Sequence, residues 1–364
     1  MKNQKMMIKL AGGHKFFLIL LSFFTLIFSK NIFAVHIYDY HTEEFIKIIN
    51  YEILSVNSYN KKIHFSIYKD DFPNAYVTEN NIIYLSSGLL THSPNYISFL
   101  GVLAHEIGHL EKYHVSKRKK EINYLKNIST YGNLATVVGS MIIQEPSILN
   151  AIIVNQTAIN NLFINFSQEQ EIEADFYAIK TINKLGLPTD PVKEFLLILE
   201  NKTGANLIDE ELKKFSTHPI FDKRYEIIDN NADGKIYYFN QNHQREFGFI
   251  QAKFMAYTDS GIINNLKNDH KIYYDSIQLS KSGNLLESLK KINFLISKNK
   301  KSYFIEETKA DILLSYGYNK EAIKFYKKIL KAQPNNNYAK YNIFVNVKLK
   351  STEYEFNKSF LEIT

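Results

Sequence analysis

Apolar positions recur at helical spacing from His41 to Val56, where Phe45, Ile48, Ile49, Ile53 and Leu54 define the inner face of a predicted amphipathic helix. The period then shortens. Lys62 to Tyr68 alternates as a strand through Ile63, Phe65 and Ile67, and Asp70, Asp71, Pro73 and Asn74 mark the turn after it. Ala75 to Val77 and Ile82 to Leu85 predict two more short strands, so a small sheet precedes Gly88. Ser93-Pro94 has the form of an N-cap followed by proline in the first turn. It predicts a long helix that runs past Leu110 into the charged stretch Lys117 to Glu121. Another helix opens at Ser167, a natural N-cap. Its early acidic residues suit the positive end of the helix dipole, and it continues through Phe176, Ala178, Ile179 and Ile182.

Between these helices, Asn133 to Phe166 is apolar and low in charge. Val137 to Ile143 and Ile148 to Ile164 predict a helical hairpin or a lid, read as a mobile flap or a membrane-apposed surface. Gln144, Glu145, Pro146 and the scattered asparagines argue against a full membrane span.

The carboxy-terminal part repeats. Gly283 and Gly317 are 34 residues apart, and the same offset aligns Glu287 with Glu321, Ser288 with Ala322, Ile292 with Tyr326 and Leu295 with Ile329. A glycine between paired helices on this period, with a small residue five positions later, is the tetratricopeptide pattern. Ser276 to Leu330 supplies two helical pairs and Asn337 to Leu349 a third or capping helix, with Gln251 to Asp259 beginning the bridge into them.

The amino terminus changes the picture of where the chain works. Lys2, Lys5, Lys9 and Lys15 precede the apolar run Phe16 to Phe28, and the first acidic residue is Asp39. A basic region before a short apolar run matches a secretory signal peptide, and the run is shorter than the roughly 20 residues of a membrane span. Ala34 is the candidate cleavage point of a segment 1–34. Without cleavage, residues 16–35 remain as an inner-membrane anchor and the body is still exported to the periplasm.

Composition narrows the chemistry. A chain of 364 residues, 45% hydrophobic, with 25 Tyr and 26 Phe, has material for about two packed domains. The absence of cysteine removes disulfides, thiolate metal sites and a cysteine nucleophile together. The net charge of +7 comes from lysines spread along the chain, without zinc-finger spacing, an RNA-binding aromatic motif or a basic arm, so nucleic acid is not the expected partner.

The predicted helix after Pro94 carries His105-Glu106-Ile107-Gly108-His109. Histidines four residues apart project from the same face one turn up, as two imidazoles must to share a tetrahedral zinc. Glu106 is rotated from His105 by about 100°, so it can act as general base beside the ion without binding it. His114 lies five residues after His109, on another face of a continuous helix, and Val115 stands where the metzincin pattern needs a histidine. A third ligand must come from elsewhere. The cluster Ser167-Gln168-Glu169-Gln170-Glu171-Ile172-Glu173-Ala174-Asp175 offers one, because Glu171 and Asp175 share a helix face while Glu173 points away. One carboxylate there can hold a metal while the other orients a ligating histidine.

HEIGH, then Ser-x-x-x-Glu-x-Glu-Ala-Asp, then Ser216-Thr217-His218-Pro219 resembles the family of zinc metallopeptidases that includes HtpX, the CAAX prenyl endopeptidase and the periplasmic protease BepA. The resemblance runs from about Asn74 to Tyr225 and includes Ser87-Gly88-Leu89-Leu90 before the active-site helix. It departs at Gln168, where the family often has arginine. It implies a mainly α (α+β) architecture, with a zincin-like metallopeptidase domain over residues 35–260, an all-α tetratricopeptide module over 261–350 and a tail over 351–364.

It further implies one zinc ion per chain, held by His105, His109 and Glu171, with Asp175 behind a ligand. His218 would then either stabilise the oxyanion or occupy the open zinc position, with Arg224 in support. The implied substrates are misfolded or stalled envelope proteins, and the implied partner is the outer-membrane protein assembly machinery. The alternative expectation is an assembly factor that works through its repeats with little or latent proteolysis.

Overall fold

Asp39, in extended backbone, caps α1 (Tyr40–Ser55) by accepting from the Thr42 amide at 2.9 Å. The computed structural model describes residues 36–78, 80–120, 166, 168–206, 221–231, 238–263, 266–299 and 302–348, and from His36 onward these form one compact unit. The expected export segment, the hairpin or lid expected between Val137 and Ile164, Ser167, the motif at Ser216 to Pro219 and the expected tail lie outside them.

Helix α1 buries Thr42, Phe45, Ile46, Ile49 and Ile53. Ile48, expected on that face, is rotated away and is 49% exposed. Strands β1 (His36–Ile37), β2 (His64–Tyr68), β3 (Ala75–Val77) and β4 (Ile82–Ser86) form one sheet in the order β1-β2-β4-β3. The central pair β2 and β4 is parallel, with Phe65 opposite Ile83, and both outer strands run antiparallel to their neighbours. Strand β1 is too short to leave a periodic signal in the sequence.

The start of the next helix differs from expectation. Ser86 caps a short α2 (Ser87–His92), and Ser93 ends it by donating to the Leu89 carbonyl at 2.7 Å. Asn95 then caps α3 (Tyr96–Glu111), accepting from the Ile97 and Ser98 amides. Of α3, every residue from Tyr96 to Leu110 except Val102 is buried, which makes it the central helix of the fold. The run does not continue unbroken to Glu121. It stops at Glu111, Tyr113 takes a left-handed backbone (φ 59°), and residues 114–120 are helical again.

Helices α4 (Gln168–Lys184) and α5 (Asp190–Asn206) pack on α3, α6 (Phe221–Asn231) packs on α4 and α5, and they complete the first core with Ile179, Ile182, Phe195 and Ile228. Helix α7 (Gln241–Thr258) belongs to two cores at once. Phe247, Ile250 and Phe254 enter the first, while Phe249, Ala252, Met255 and Ala256 enter the second. The second continues into α8 (Asn268–Lys281), α9 (Leu285–Lys298) and α10 (Tyr303–Ser315), and a third joins α10 to α11 (Asn319–Ala332) and α12 (Asn337–Lys348). Gly283 and Gly317 sit in the α8–α9 and α10–α11 turns at φ 87° and 80°, a backbone that glycine adopts without a Cβ penalty. The architecture is thus mainly helical, with one small sheet and a helical module after it. Among the described residues no helix is long and apolar enough to cross a membrane.

A buried polar chain ties the ends of this unit together. Lys253 on α7 pairs with Asp39 at the cap of α1 and lies 3.8 Å from Glu307 on α10. Asn336 donates to Glu307 at 2.8 Å and caps α12 by accepting from the Ala339 amide. Burial alone would raise the Asp39 pKa, but Lys253, His41 and the Thr42 hydrogen bond together outweigh it and hold the carboxyl at about 2. Glu307 gains less from Lys253 than burial costs it, and its pKa is pushed up to about 7.

Because the folded state holds this proton more tightly than the unfolded chain, the stability Glu307 contributes is full below 4.5 and lost as pH rises through about 7. Thermal unfolding of the parent should therefore fall relative to Glu307→Gln as pH rises across that interval. Parallel profiles for the two proteins would contradict the assignment.

Candidate metal centre

The site begins with a close helix contact. Gly108 faces α4 so tightly that a Cβ there would lie 3.1 Å from Tyr177 Cβ and 3.2 Å from Ala174 Cα. Gly108 adjoins His109 and Ala174 adjoins Asp175, so this contact sets the spacing between the histidines of α3 and the acids of α4.

His105 and His109 stand one turn apart, with ring centroids at 4.8 Å and Nε2 atoms at 3.1 Å. Glu171 enters from the first turn of α4. Its Oε2 is 3.3 Å from His105 Nε2 and its Oε1 is 3.5 Å from His109 Nε2, and all three side chains are buried. Ligand bonds of about 2.0–2.1 Å at tetrahedral angles put neighbouring donor atoms about 3.3 Å apart. The donor set therefore fits a tetrahedral cation. Among the described residues, these three form the cluster of His, Asp and Glu donors spaced to hold a metal ion.

Each imidazole is backed on its far nitrogen. His105 Nδ1 lies 2.8 Å from Asp175 Oδ1. Asp175 in turn accepts from Arg224 Nε and Nη2, both at 2.8 Å. Burial would raise the Asp175 pKa, but Arg224 and then His105 hold it below the usual carboxylate range. Burial would likewise depress His105, yet the Asp175 carboxylate holds its pKa up at about 9. The guanidinium of Arg224 is thus committed to Asp175, and this geometry favours a positioning task over the oxyanion contact expected from sequence.

His109 Nδ1 lies 3.0 Å from His114 Nδ1, and His114 Nε2 lies 3.0 Å from Glu173 Oε2. A continuous helix would have carried His114 elsewhere. The left-handed turn at Tyr113 folds it back onto His109, and no residue type in the sequence announces that turn, since tyrosine rarely takes positive φ. Phe166 stacks on the His109 ring with centroids 3.8 Å apart and planes at 16°. Burial pushes the His114 pKa down, and the His114 hydrogen bond lowers that of Glu173. His114, Glu173 and Phe166 are the neighbours that sequence reasoning missed, while His218 lies outside the described residues.

Glu106 is 1% exposed. With His105, Asp175 and Arg224 it lines a cavity of about 70 Å³ whose other walls include Ala75, Val102, Ile179, Phe195 and Leu196. A carboxylate beside a two-histidine, one-glutamate cluster and an apolar recess is the arrangement that a metallopeptidase needs. The chain belongs to peptidase family M48, whose model matches residues 41–232.

It is 25% identical over 198 residues to the beta-barrel assembly-enhancing protease of Yersinia pestis, covering 54% of this chain and 40% of that protein. It is 23% identical over 191 residues to the protein of the same name from Escherichia coli (strain K12), covering 52% and 39%. The match spans about two fifths of the length of these curated relatives. The family agrees with the resemblance carried by HEIGH and the Glu-x-Glu-Ala-Asp motif.

Arg224→Met should leave the Asp175 carboxylate buried beside His105 without its cation, at a cost of about 3–5 kcal/mol. Urea unfolding of parent and variant measures this, and a loss below about 1 kcal/mol, the scale of an exposed pair, would contradict the clamp.

Proposed function

We propose that the chain is a zinc-dependent endopeptidase of the cell envelope that hydrolyses peptide bonds in misfolded or stalled envelope proteins. The observation that carries this reading is the spacing of His105 Nε2, His109 Nε2 and the Glu171 carboxylate at 3.1–3.5 Å, which suits zinc and its preference for nitrogen and carboxylate donors. Zinc bound there would lower the pKa of water to about 7 and polarise a carbonyl.

The chain's own residues supply the rest. Glu106, on the helix turn between the two histidines, takes the proton of the attacking water and passes it to the leaving amine. Asp175, fixed by Arg224, holds His105 in the tautomer that presents Nε2 to the ion. His218, by resemblance, faces the oxyanion or closes the ion's open position in a resting state.

The helices after α7 are read as tetratricopeptide pairs, with the peptidase over 35–260 and the repeats over 261–350. The basic, apolar amino terminus supports export to the periplasm, and the relatives' names support a part in β-barrel assembly.

A second reading, an assembly factor that holds polypeptides with little proteolysis, is favoured by a cavity of about 800 Å³. It lies between the start of the chain's described part and the helical module, lined by Tyr38, Tyr257, Tyr316, Ile277 and Ile312.

Glu106→Gln should retain the metal and lose peptide hydrolysis by about 10²–10⁴-fold, the usual contribution of a general base. Cleavage at the parental rate by purified variant would sink the mechanism. Full function of that variant in cells, without cleavage, would favour the second reading.

A further inference from the structure

We propose that His114 is the positioning residue of His109, held in turn by Glu173, so that the two ligand histidines are fixed by different devices. The inference rests on the metal site proposed above.

The proton positions follow from the contacts. An ionised Glu173 carboxylate only accepts, so His114 Nε2, at 3.0 Å from it, carries a hydrogen. A neutral imidazole carries one N–H, which leaves His114 Nδ1 as an acceptor. His109 Nδ1, at 3.0 Å from that acceptor, must then carry the hydrogen between them. The lone pair of His109 is thereby placed on Nε2, the atom that faces His105 and Glu171. Opposite polarity along this chain would put a hydrogen on His109 Nε2 and aim it at the neighbouring donors.

The two supports differ in kind. His105 is backed by a carboxylate that is itself buried and clamped by a guanidinium. His109 is backed by a buried imidazole whose anchoring carboxylate is 53% exposed. A turn with one non-glycine residue, Tyr113, at positive φ lies between α3 and residues 114–120, and it is what delivers His114 to this place.

The test is zinc affinity of the full chain, by chelator competition, for the parent, His109→Ala, His114→Phe, His114→Asn and Glu173→Ala. His114→Phe should weaken zinc about 10–100-fold, as loss of a ligand's hydrogen-bond partner generally does. His114→Asn keeps an acceptor near the Nδ1 position and should recover part of that loss. A space-filling role predicts the reverse order, because phenylalanine is closer to histidine in volume. Glu173→Ala, at an exposed position, should weaken zinc in the same direction and decides the matter if His114→Phe does not fold. Parental affinity in His114→Phe or, where that variant does not fold, in Glu173→Ala, while His109→Ala loses the ion, would overturn the proposal. Retention of zinc by His109→Ala would instead refute the metal site itself.

Discussion

Gly108 lets α3 lie so near α4 that a single methyl group there would press on Ala174 and Tyr177. Everything at the centre depends on that approach. The histidines are one turn apart on α3 whatever else happens, but a carboxylate from another helix reaches both of them only if the two backbones nearly touch. The contact lies at the level of the site, between His109 on one side and the pair Glu171 and Asp175 on the other. A larger residue at position 108 would move the acids away by a few tenths of an ångström, which matters where donor atoms lie 3.1–3.5 Å apart. Burial makes the arrangement consequential, because charged and polar groups taken from water must be paired with one another.

The same constraint explains the shape of the surroundings. Asp175 cannot stay ionised in the interior without Arg224, and Arg224 cannot be buried without Asp175, so α6 is drawn onto α4 as part of the site. Further out, α7 shares its faces between two hydrophobic cores, and Lys253 on that helix pairs with the cap of α1 while approaching Glu307 of α10. The first core and the helical module are thus joined by both packing and a buried charge chain.

Much of this was legible in the sequence, and the limits have physical causes. The i, i+4 spacing of His105 and His109 needs no tertiary information, and β2, β3 and β4 show their apolar alternation directly. Periodicity leaves Glu171 as one acid among several, and only the family resemblance singles it out. Its selection comes from the distance to α3, which periodicity does not contain. Position 114 was misread because a helix was extended through Lys112 and Tyr113, where the chain turns left-handed without a glycine. Glu173 leaves the face of Glu171 as its spacing indicates, and it meets His114 only because that group folds back from α3. Arg224 was singled out by its motif, but its pairing with the buried Asp175 carboxylate depends on how α6 meets α4, which the motif does not contain. The helical pairs were visible through their 34-residue period, because stacked units repeat their inward positions.

The central claim is that three donors from two helices hold one cation, and Glu171 is the donor whose placement depends on the fold. Zinc content of the purified chain, measured beside Glu171→Ala at equal free zinc, addresses it most directly. The account predicts about one ion per chain in the parent and its loss from the variant. Equal stoichiometry and affinity in the two proteins would contradict it.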